Sequence, residues 1–213
     1  MILTEEAARA WVRQHVSRET YDQLCAFDRL LREACEHQNL VSVATLPMLW
    51  QRHIVDSLQL LGLAPSDAGT WIDLGSGAGF PGMVIAIARD LGTTLVEARP
   101  LRADFLRGVA SSLGLGARVT VIQSKVEAHH SIPADIISAR AVAPLDRLLG
   151  LGHHLSSETT TWLLPKGKNG SSELEAARRS WQGEFRMEPS LTDERAGIIV
   201  ATRVRPRRAG KVR

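Results

Sequence analysis

The first third of the chain carries apolar residues at helical spacing. After Thr20, Leu24, Phe27 and Leu31 recur at intervals of three and four residues, which is typical of the buried face of an amphipathic helix. Residues 1–62 are therefore predicted to form an N-terminal helical section. The predicted helix starts and ends in this section are Thr4, Thr20, Pro47 and Gly62.

Beyond residue 62 the pattern changes to short apolar strands that alternate with helices. The predicted strands are 71–74, 93–97, 118–122, 135–138, 160–164 and 197–204, and the predicted helices are 81–91, 100–113, 144–154 and 171–181. Strands this apolar cannot face water on either side, which indicates a mostly parallel sheet covered by helices. The fold prediction is an α/β, doubly wound sheet over residues 63–204, with a basic tail over 205–213.

The charge is unevenly distributed along the chain. The last eleven residues carry six of the 26 basic side chains and no acid, so that 20 basic residues remain against 23 acidic ones in the rest. The pI of 9.2 is therefore a property of the tail. Basic tails attract phosphate backbones without reading sequence, and Arg207 and Arg208 are the candidate RNA contacts there. A merely solubilising tail is the alternative.

Composition and targeting signals narrow the class of protein. A chain of 213 residues with 44% hydrophobic residues is not disordered. No apolar run approaches the ~20 residues of a membrane span, and the N-terminus is acidic where a signal peptide would be basic. Cys25 and Cys35 have no metal-binding spacing and are predicted to be reduced thiols. We expect a soluble, cytoplasmic monomer without a metal site or a membrane partner.

A glycine-rich loop follows the first predicted strand. Gly75, Gly77 and Gly79 come shortly after Asp73, and glycine lets the backbone turn tightly and approach a ligand closely. The loop leads into a helix N-terminus, whose free N–H groups suit a carboxylate or phosphate. Glu97 ends the second strand, where a carboxylate can accept hydrogen bonds from both hydroxyls of a ribose. This arrangement predicts a nucleoside-cofactor site.

The spacing of the loop favours S-adenosylmethionine over a dinucleotide. Gly77-x-Gly79-x-x-Gly82 has the letters of a dinucleotide motif but begins three residues beyond Leu74. Asp73 is suited to pair with the amine of S-adenosylmethionine, a cofactor that has no pyrophosphate. A methyltransferase is the preferred interpretation, and a nicotinamide oxidoreductase is the alternative.

The chain resembles the RsmG family, also called glucose-inhibited division protein B, over roughly residues 39–168. The motifs that carry the resemblance are Asn39-Leu40, Arg52-His53-Ile54-x-Asp56-Ser57, the loop Gly75–Gly82, Phe105-Leu106, Val126-Glu127, Ser138-x-Arg140-Ala141 and Pro165-Lys166-Gly167. Family members methylate N7 of a guanine in 16S ribosomal RNA with S-adenosylmethionine. The resemblance therefore implies a Rossmann-like class I methyltransferase whose partner is 16S rRNA or the small ribosomal subunit.

The resemblance also implies positions for the site residues. The cofactor contacts carried over from the family are Gly75, Phe80, Val126, Glu127 and Arg140. Arg140 is suited to pair with a cofactor carboxylate or an RNA phosphate, with an ordinary surface salt bridge as the alternative. His53 is either an RNA-facing residue or simply a partner of Asp56. Lys166 is either a phosphate contact or a solvated loop lysine.

Methylation at N7 requires little acid–base chemistry. The nitrogen has a lone pair in the plane of the ring and loses no proton before it reacts, so positioning supplies most of the catalysis. No catalytic residue is therefore assigned. A methyltransferase acting on a small molecule or a protein, and a non-catalytic RNA-binding relative, remain as alternatives.

Overall fold

In the computed structural model, which describes residues 1–207, a seven-stranded sheet forms the centre of the molecule. Its strands are β1 (Thr70–Leu74), β2 (Gly92–Glu97), β3 (Val119–Gln123), β4 (Ile136–Ala139), β5 (Thr161–Lys166), β6 (Trp181–Pro189) and β7 (Gly197–Pro206). Their order is β3-β2-β1-β4-β5-β7-β6. The first five strands are parallel, whereas β7 runs antiparallel to β5 and β6. The predicted doubly wound, mostly parallel sheet is confirmed.

Helices cover both faces of this sheet. They are α1 (Glu5–His15), α2 (Arg18–Cys35), α3 (Asp56–Leu58), α4 (Gly82–Ala88), α5 (Pro100–Ser112), α6 (Leu145–Gly152) and α7 (Gly170–Ala177). Leu95 packs in a core with α2, α4 and α5, and its neighbour Val96 packs with α6 and α7. Because successive strand residues point to opposite faces, the two cores lie on opposite sides of the sheet. Among residues 1–207, no helix has both the length and the apolar character for crossing a membrane.

The N-terminal helical section shares its core with the sheet. Leu24 and Phe27 on α2 are buried in the same cluster as Phe80 and Met83, and the rings of Phe27 and Phe80 lie 5.5 Å apart. The predicted helical section is present, but its apolar face is completed by residues that follow β1.

Of three local predictions about the helices, one is confirmed and two need correction. Thr4 caps α1 as predicted, accepting from the N–H of Ala7 at 3.1 Å. The predicted cap at Thr20 is wrong, since Ser17 caps α2 and accepts from the N–H of Thr20. The third predicted helix is an irregular helical segment of short turns. These turns are Leu46–Met48 (3-10), Trp50–Val55 (π), Asp56–Leu58 (α) and Gln59–Gly62 (3-10).

The C-terminal part of the sheet also differs from the prediction. The helix predicted over 171–181 ends at Ala177, and Trp181 begins the unpredicted edge strand β6. The final strand continues to Pro206, two residues beyond the predicted boundary at 204. Arg208 lies outside the described residues.

A buried carboxylate ties the N-terminal helices together. Asp28 on α2 is only 6% exposed. It accepts hydrogen bonds from the indole of Trp50 at 2.7 Å, from Arg9 at 2.9 Å and from Arg32 at 2.6 Å. The irregular segment that carries Trp50 is thus fixed against both α1 and α2.

Replacing Asp28 with Ala should lower the free energy of unfolding by about 2 kcal/mol, since the buried indole N–H of Trp50 loses its acceptor. The two arginines are partly exposed and add little. Urea unfolding of Asp28→Ala measures the loss. Asp22→Ala, which removes an exposed carboxylate 3.9 Å from Arg18 on the same helix, is the control. Equal losses in the two variants would contradict a special role for Asp28.

Candidate active site

The site forms where the carboxyl ends of β1, β2 and β4 meet. β1 lies between β2 and β4 in the sheet, so the chain leaves β1 for one neighbour and returns later to the other. Ligands of doubly wound sheets bind at such a reversal of strand order, beyond the carboxyl ends of the strands. The glycine loop, Glu97 and Arg140 all lie at this edge, because they follow or end these three strands.

The glycine loop has one open turn and two packed ones. Gly75, Gly77 and Gly79 have φ values of 67°, 57° and 97°, a region that side chains disfavour. A Cβ added at Gly75 would lie 2.7 Å from Val142, and one at Gly79 would lie 2.9 Å from Met83. At Gly77 the nearest atom would be 3.7 Å away. The turn at Gly77 is therefore the part of the loop that a ligand can approach.

Glu97 lies directly beside this open turn. Its side chain is buried, and its Oε2 accepts from the N–H of Gly77 at 2.8 Å. Its Oε1 accepts from the N–H of Arg99, also at 2.8 Å. Each carboxylate oxygen accepts more than one hydrogen bond, so Glu97 retains acceptor capacity for the hydroxyls of a ribose. These residues fit the nucleoside part of S-adenosylmethionine.

Asp73 supports the loop from beneath. The side chain is fully buried; its Oδ1 accepts from Ser138 Oγ at 2.6 Å and its Oδ2 from the N–H of Gly82 at 3.2 Å. Burial raises the pKa of Asp73 to about 6, against the opposing effect of these hydrogen bonds. Its predicted pairing with a cofactor amine stays a prediction, since both oxygens already have partners within the protein.

Arg140 contacts several polar groups of the irregular helical segment. Its guanidinium group lies 2.7 Å from Nδ1 of His53 and 3.2 Å from Oδ2 of Asp56. It also donates to the backbone carbonyl of Arg52 and lies over the ring of Phe80. In the described structure the expected direct His53–Asp56 pair is replaced by two contacts to Arg140. Arg140 is thereby held at a fixed point beside the loop.

His53 is held in its neutral form. A guanidinium group only donates, so Nδ1 of His53 accepts from Arg140 and the ring proton is on Nε2. That nitrogen lies 3.1 Å from the hydroxyl oxygen of Thr45, which accepts its hydrogen bond. Burial, together with the charges of Arg140 and Arg52, lowers the pKa of His53 to about 3. The ring of His53 stacks on Phe80 with 4.9 Å between centroids.

A cleft of about 200 Å³ opens beside this cluster, between the irregular helical segment and the ends of β5 and β7. Its polar lining residues include Thr45, Arg52, His53, Asp56, Arg140, Lys166, Thr192 and Asp193. Arg52 and Asp193 form an ion pair of 3.1 Å across a separation of 141 positions. Thr192 and Asp193 did not emerge from the sequence as site residues, because no local motif signals a contact over such a distance.

The remaining predicted residues have different surroundings. Val126 is buried and Glu127 exposed in a 3-10 turn that follows β3 at the same edge of the sheet. Lys166 is not a solvated lysine, because it is paired with Glu173 at 2.8 Å and its side chain is 10% exposed. Arg207 lies away from the cleft, with its Nε donating to the carbonyl of Trp181. Their contacts with cofactor or RNA stay predictions.

One unpredicted basic residue lies close to the open turn. Arg102, in the first turn of α5, donates to the carbonyl of Asn39 at 3.1 Å. Another of its guanidinium nitrogens is the nearest atom to the open side of Gly77. The helix dipole disfavours a basic residue at the start of a helix. The presence of Arg102 in the first turn after β2 was therefore the sequence signal that could have identified it as a site residue.

The doubly wound sheet places the chain in a fold class that it shares with solved methyltransferases. The mitomycin 7-O-methyltransferase MmcR has a similar fold, with a TM-score of 0.60, 18% sequence identity, and coverage of 83% of this chain and 60% of that one.

The family is defined by sequence. The family model described as rRNA small subunit methyltransferase G matches residues 20–195. A ribosomal RNA small subunit methyltransferase G from Rhizorhabdus wittichii is 51% identical, covering 99% of this chain and 98% of its own. The protein of that name from Zymomonas mobilis is 45% identical, with 97% of each chain covered. The chain belongs to the rRNA small subunit methyltransferase G family, which confirms the resemblance seen in its motifs.

The low pKa of His53 should make stability depend on pH. Unfolded histidine binds a proton below pH 6.5, whereas folded His53 stays neutral down to pH about 3. Stability is therefore lost as the pH falls through this window. Between pH 8 and pH 5 the loss should be about 2 kcal/mol, and a His53→Gln variant should escape it. Chemical denaturation at both pH values measures the difference.

Comparing wild type with His53→Gln separates the contribution of His53 to the pH dependence of stability from that of Asp73. The raised pKa of Asp73 stabilises the fold at low pH, and this contribution disappears as the pH rises through about 6. It is common to wild type and variant and cancels between them. If the free energies of unfolding of wild type and His53→Gln changed in parallel with pH, His53 would accept a proton in the folded protein.

Glu97→Ala should weaken binding of S-adenosylmethionine by about 1–3 kcal/mol, or roughly ten- to hundredfold, through loss of the ribose acceptor. Calorimetric titration measures the dissociation constant, and thermal melting checks the fold. Asp104→Ala removes an exposed carboxylate from α5 and serves as the charge-matched control. An unchanged affinity in Glu97→Ala would mean that the ribose lies elsewhere.

Proposed function

We propose that this protein transfers the methyl group of S-adenosylmethionine to N7 of a guanine in 16S ribosomal RNA. One observation carries the proposal: in a member of the rRNA small subunit methyltransferase G family, the glycine loop, Glu97 and Arg140 lie at one edge of the sheet. An rRNA substrate would make the protein cytoplasmic, with the small ribosomal subunit or its RNA as its partner.

The cofactor would be held by the open turn at Gly77 and by Glu97. A Cβ at Gly77 would occupy the approach to the loop, and Glu97 has acceptor capacity left for ribose hydroxyls. When bound, S-adenosylmethionine supplies a methyl group activated by a positively charged sulfur. Gly75, Phe80, Val126 and Glu127 are further proposed contacts from the family motifs.

The protein's task at the substrate is to position it. N7 of guanine reacts through its lone pair, so no side chain has to remove a proton, and orientation accounts for the catalysis. Arg140 is fixed by His53 and Asp56, and its charge is suited to a cofactor carboxylate or an RNA phosphate. The neutral ring of His53 keeps Arg140 in place, because a protonated ring would repel it.

The hydrogen-bond donors of the cleft suit an anionic substrate. Arg52 and Arg140 lie in its lining, and each is already paired with a carboxylate, Asp193 and Asp56 respectively. A guanidinium group has five N–H donors, so both arginines keep donors for an RNA phosphate beside these ion pairs. A methyltransferase for another substrate is the weaker candidate, because the family is named for an rRNA substrate.

Nucleoside mass spectrometry of 16S rRNA tests the substrate. Cells that lack the protein should lose one N7-methylguanosine, and re-expression of the wild-type chain should restore it. Unchanged N7-methylguanosine would refute the substrate. Titration of the purified protein with S-adenosylmethionine and with NAD tests the cofactor separately, and binding of NAD alone would refute a methyltransferase.

A further inference from the structure

The turn that follows β4 contacts both the glycine loop and the cleft. It comprises residues 140–144, between β4 and α6. Arg140, at its start, lines the cleft, and Val142, in its middle, packs against Gly75 of the glycine loop. The turn also lines a second cavity of about 410 Å³, which adjoins the cleft at Arg140. The position of this turn therefore affects both parts of the candidate site.

The backbone of the turn is not stabilised by its own sequence. Ala141 has a φ of 56°, in the left-handed region that residues with a side chain seldom adopt. Pro144, which precedes α6, provides no side-chain cap for the helix. Such a conformation persists only where neighbouring groups fix it, so the turn depends on contacts from other elements.

Lys166 and Glu173 supply these contacts at the end of the turn. Nζ of Lys166, the last residue of β5, donates to the carbonyl of Ala143 at 3.1 Å and to Oε2 of Glu173 at 2.8 Å. The same oxygen of Glu173, on α7, accepts from the backbone N–H of Leu145 at 2.9 Å. One lysine and one carboxylate from outside the turn thus fix the backbone on both sides of Pro144.

The surroundings of Lys166 favour this internal role over a contact with RNA. The side chain is 10% exposed, and Glu173 balances its charge. Two of the three N–H donors of the ammonium group already have acceptors within the protein. An RNA phosphate at Lys166 would compete with the groups that hold the turn.

We propose that Lys166 is a positioning residue for methyl transfer, which acts together with Glu173 on the turn after β4. By fixing the turn, the pair keeps Arg140 at the cleft and Val142 against the glycine loop. This inference rests on the proposed function, because it assigns the turn to that reaction. Methyl transfer to N7 depends on the alignment of the two reactants, so a displaced turn lowers the rate of the bound complex. Lys166 accordingly acts on kcat and not on RNA affinity.

Three variants test this role: Lys166→Met, Glu173→Gln and the two combined. Both changes remove a charge and keep much of the length of the side chain. The matched controls are Lys168→Met, at an exposed lysine in the loop after β5, and Glu175→Gln, at an exposed carboxylate on α7. The substrate is unmethylated 16S rRNA, naked or in the small subunit, from cells that lack the protein.

Three quantities are measured for each variant. They are kcat and KM for methyl transfer, RNA affinity over a series of salt concentrations, and hydrogen exchange of the backbone amides in residues 140–145. Thermal melting checks the fold. Glu173→Gln preserves the shape of the side chain and carries the test if Lys166→Met does not fold.

Both single variants should lower kcat roughly ten- to hundredfold. The combined variant should be no slower than the slower single one, because either change breaks the same contact. RNA affinity, its salt slope and KM should match wild type. The amides of residues 140–145 should exchange faster in all three variants, and both controls should match wild type in kcat and in exchange.

An RNA phosphate contact at Lys166 predicts a different pattern. Lys166→Met would then weaken RNA binding and make the slope of log affinity against log salt shallower by about 0.7–0.9, whereas Glu173→Gln would leave RNA affinity unchanged or raised. That pattern, or an unchanged kcat in both single variants, would overturn the proposal. Failure of the wild-type protein to form N7-methylguanosine would refute the proposed function instead, and hydrogen exchange would still report whether the pair fixes the turn.

Discussion

The buried carboxylate of Asp73 joins the centre of the sheet to the glycine loop. It accepts from Ser138 on β4 and from the N–H of Gly82 at the start of α4, and Ser138 in turn accepts from the indole of Trp71 at 2.8 Å. A buried carboxylate deprived of such donors would cost several kcal/mol. The two ends of the loop are thus fixed relative to β1 and β4, and the open turn beside Glu97 follows from that constraint.

The parts of the fold that the sequence predicted are those that local patterns encode. The strands at the centre of the sheet are apolar on both faces and stand out as short hydrophobic runs. The edge strand β6 did not, because only its first residue, Trp181, is buried and the others are half-buried or exposed without a regular alternation, and its pairing slips between Gln182 and Glu184. The cap of α2 was misplaced from Ser17 to Thr20, since both hydroxyls precede the same apolar face and only backbone geometry distinguishes them.

In the candidate site, too, only the residues that local sequence patterns encode could be predicted. The glycine loop and Glu97 were predictable because the ends of neighbouring parallel strands meet in space. The side chains around Arg140 could not be predicted in the same way. His53 precedes Arg140 by 87 positions and approaches it only because the irregular helical segment packs over the loop. The π-helical turn that presents His53 has no distinctive residue pattern. Its position depends on packing against α1 and α2.

The ion pair between Arg52 and Asp193 has a consequence for biosynthesis. The two residues are separated by 141 positions, so the ribosome makes one wall of the cleft long before the other. A nascent chain that has passed β4 contains the glycine loop and Glu97 but not the hairpin that carries Asp193. The cleft is therefore complete only after the β6–β7 hairpin has been synthesised and has packed against the irregular helical segment.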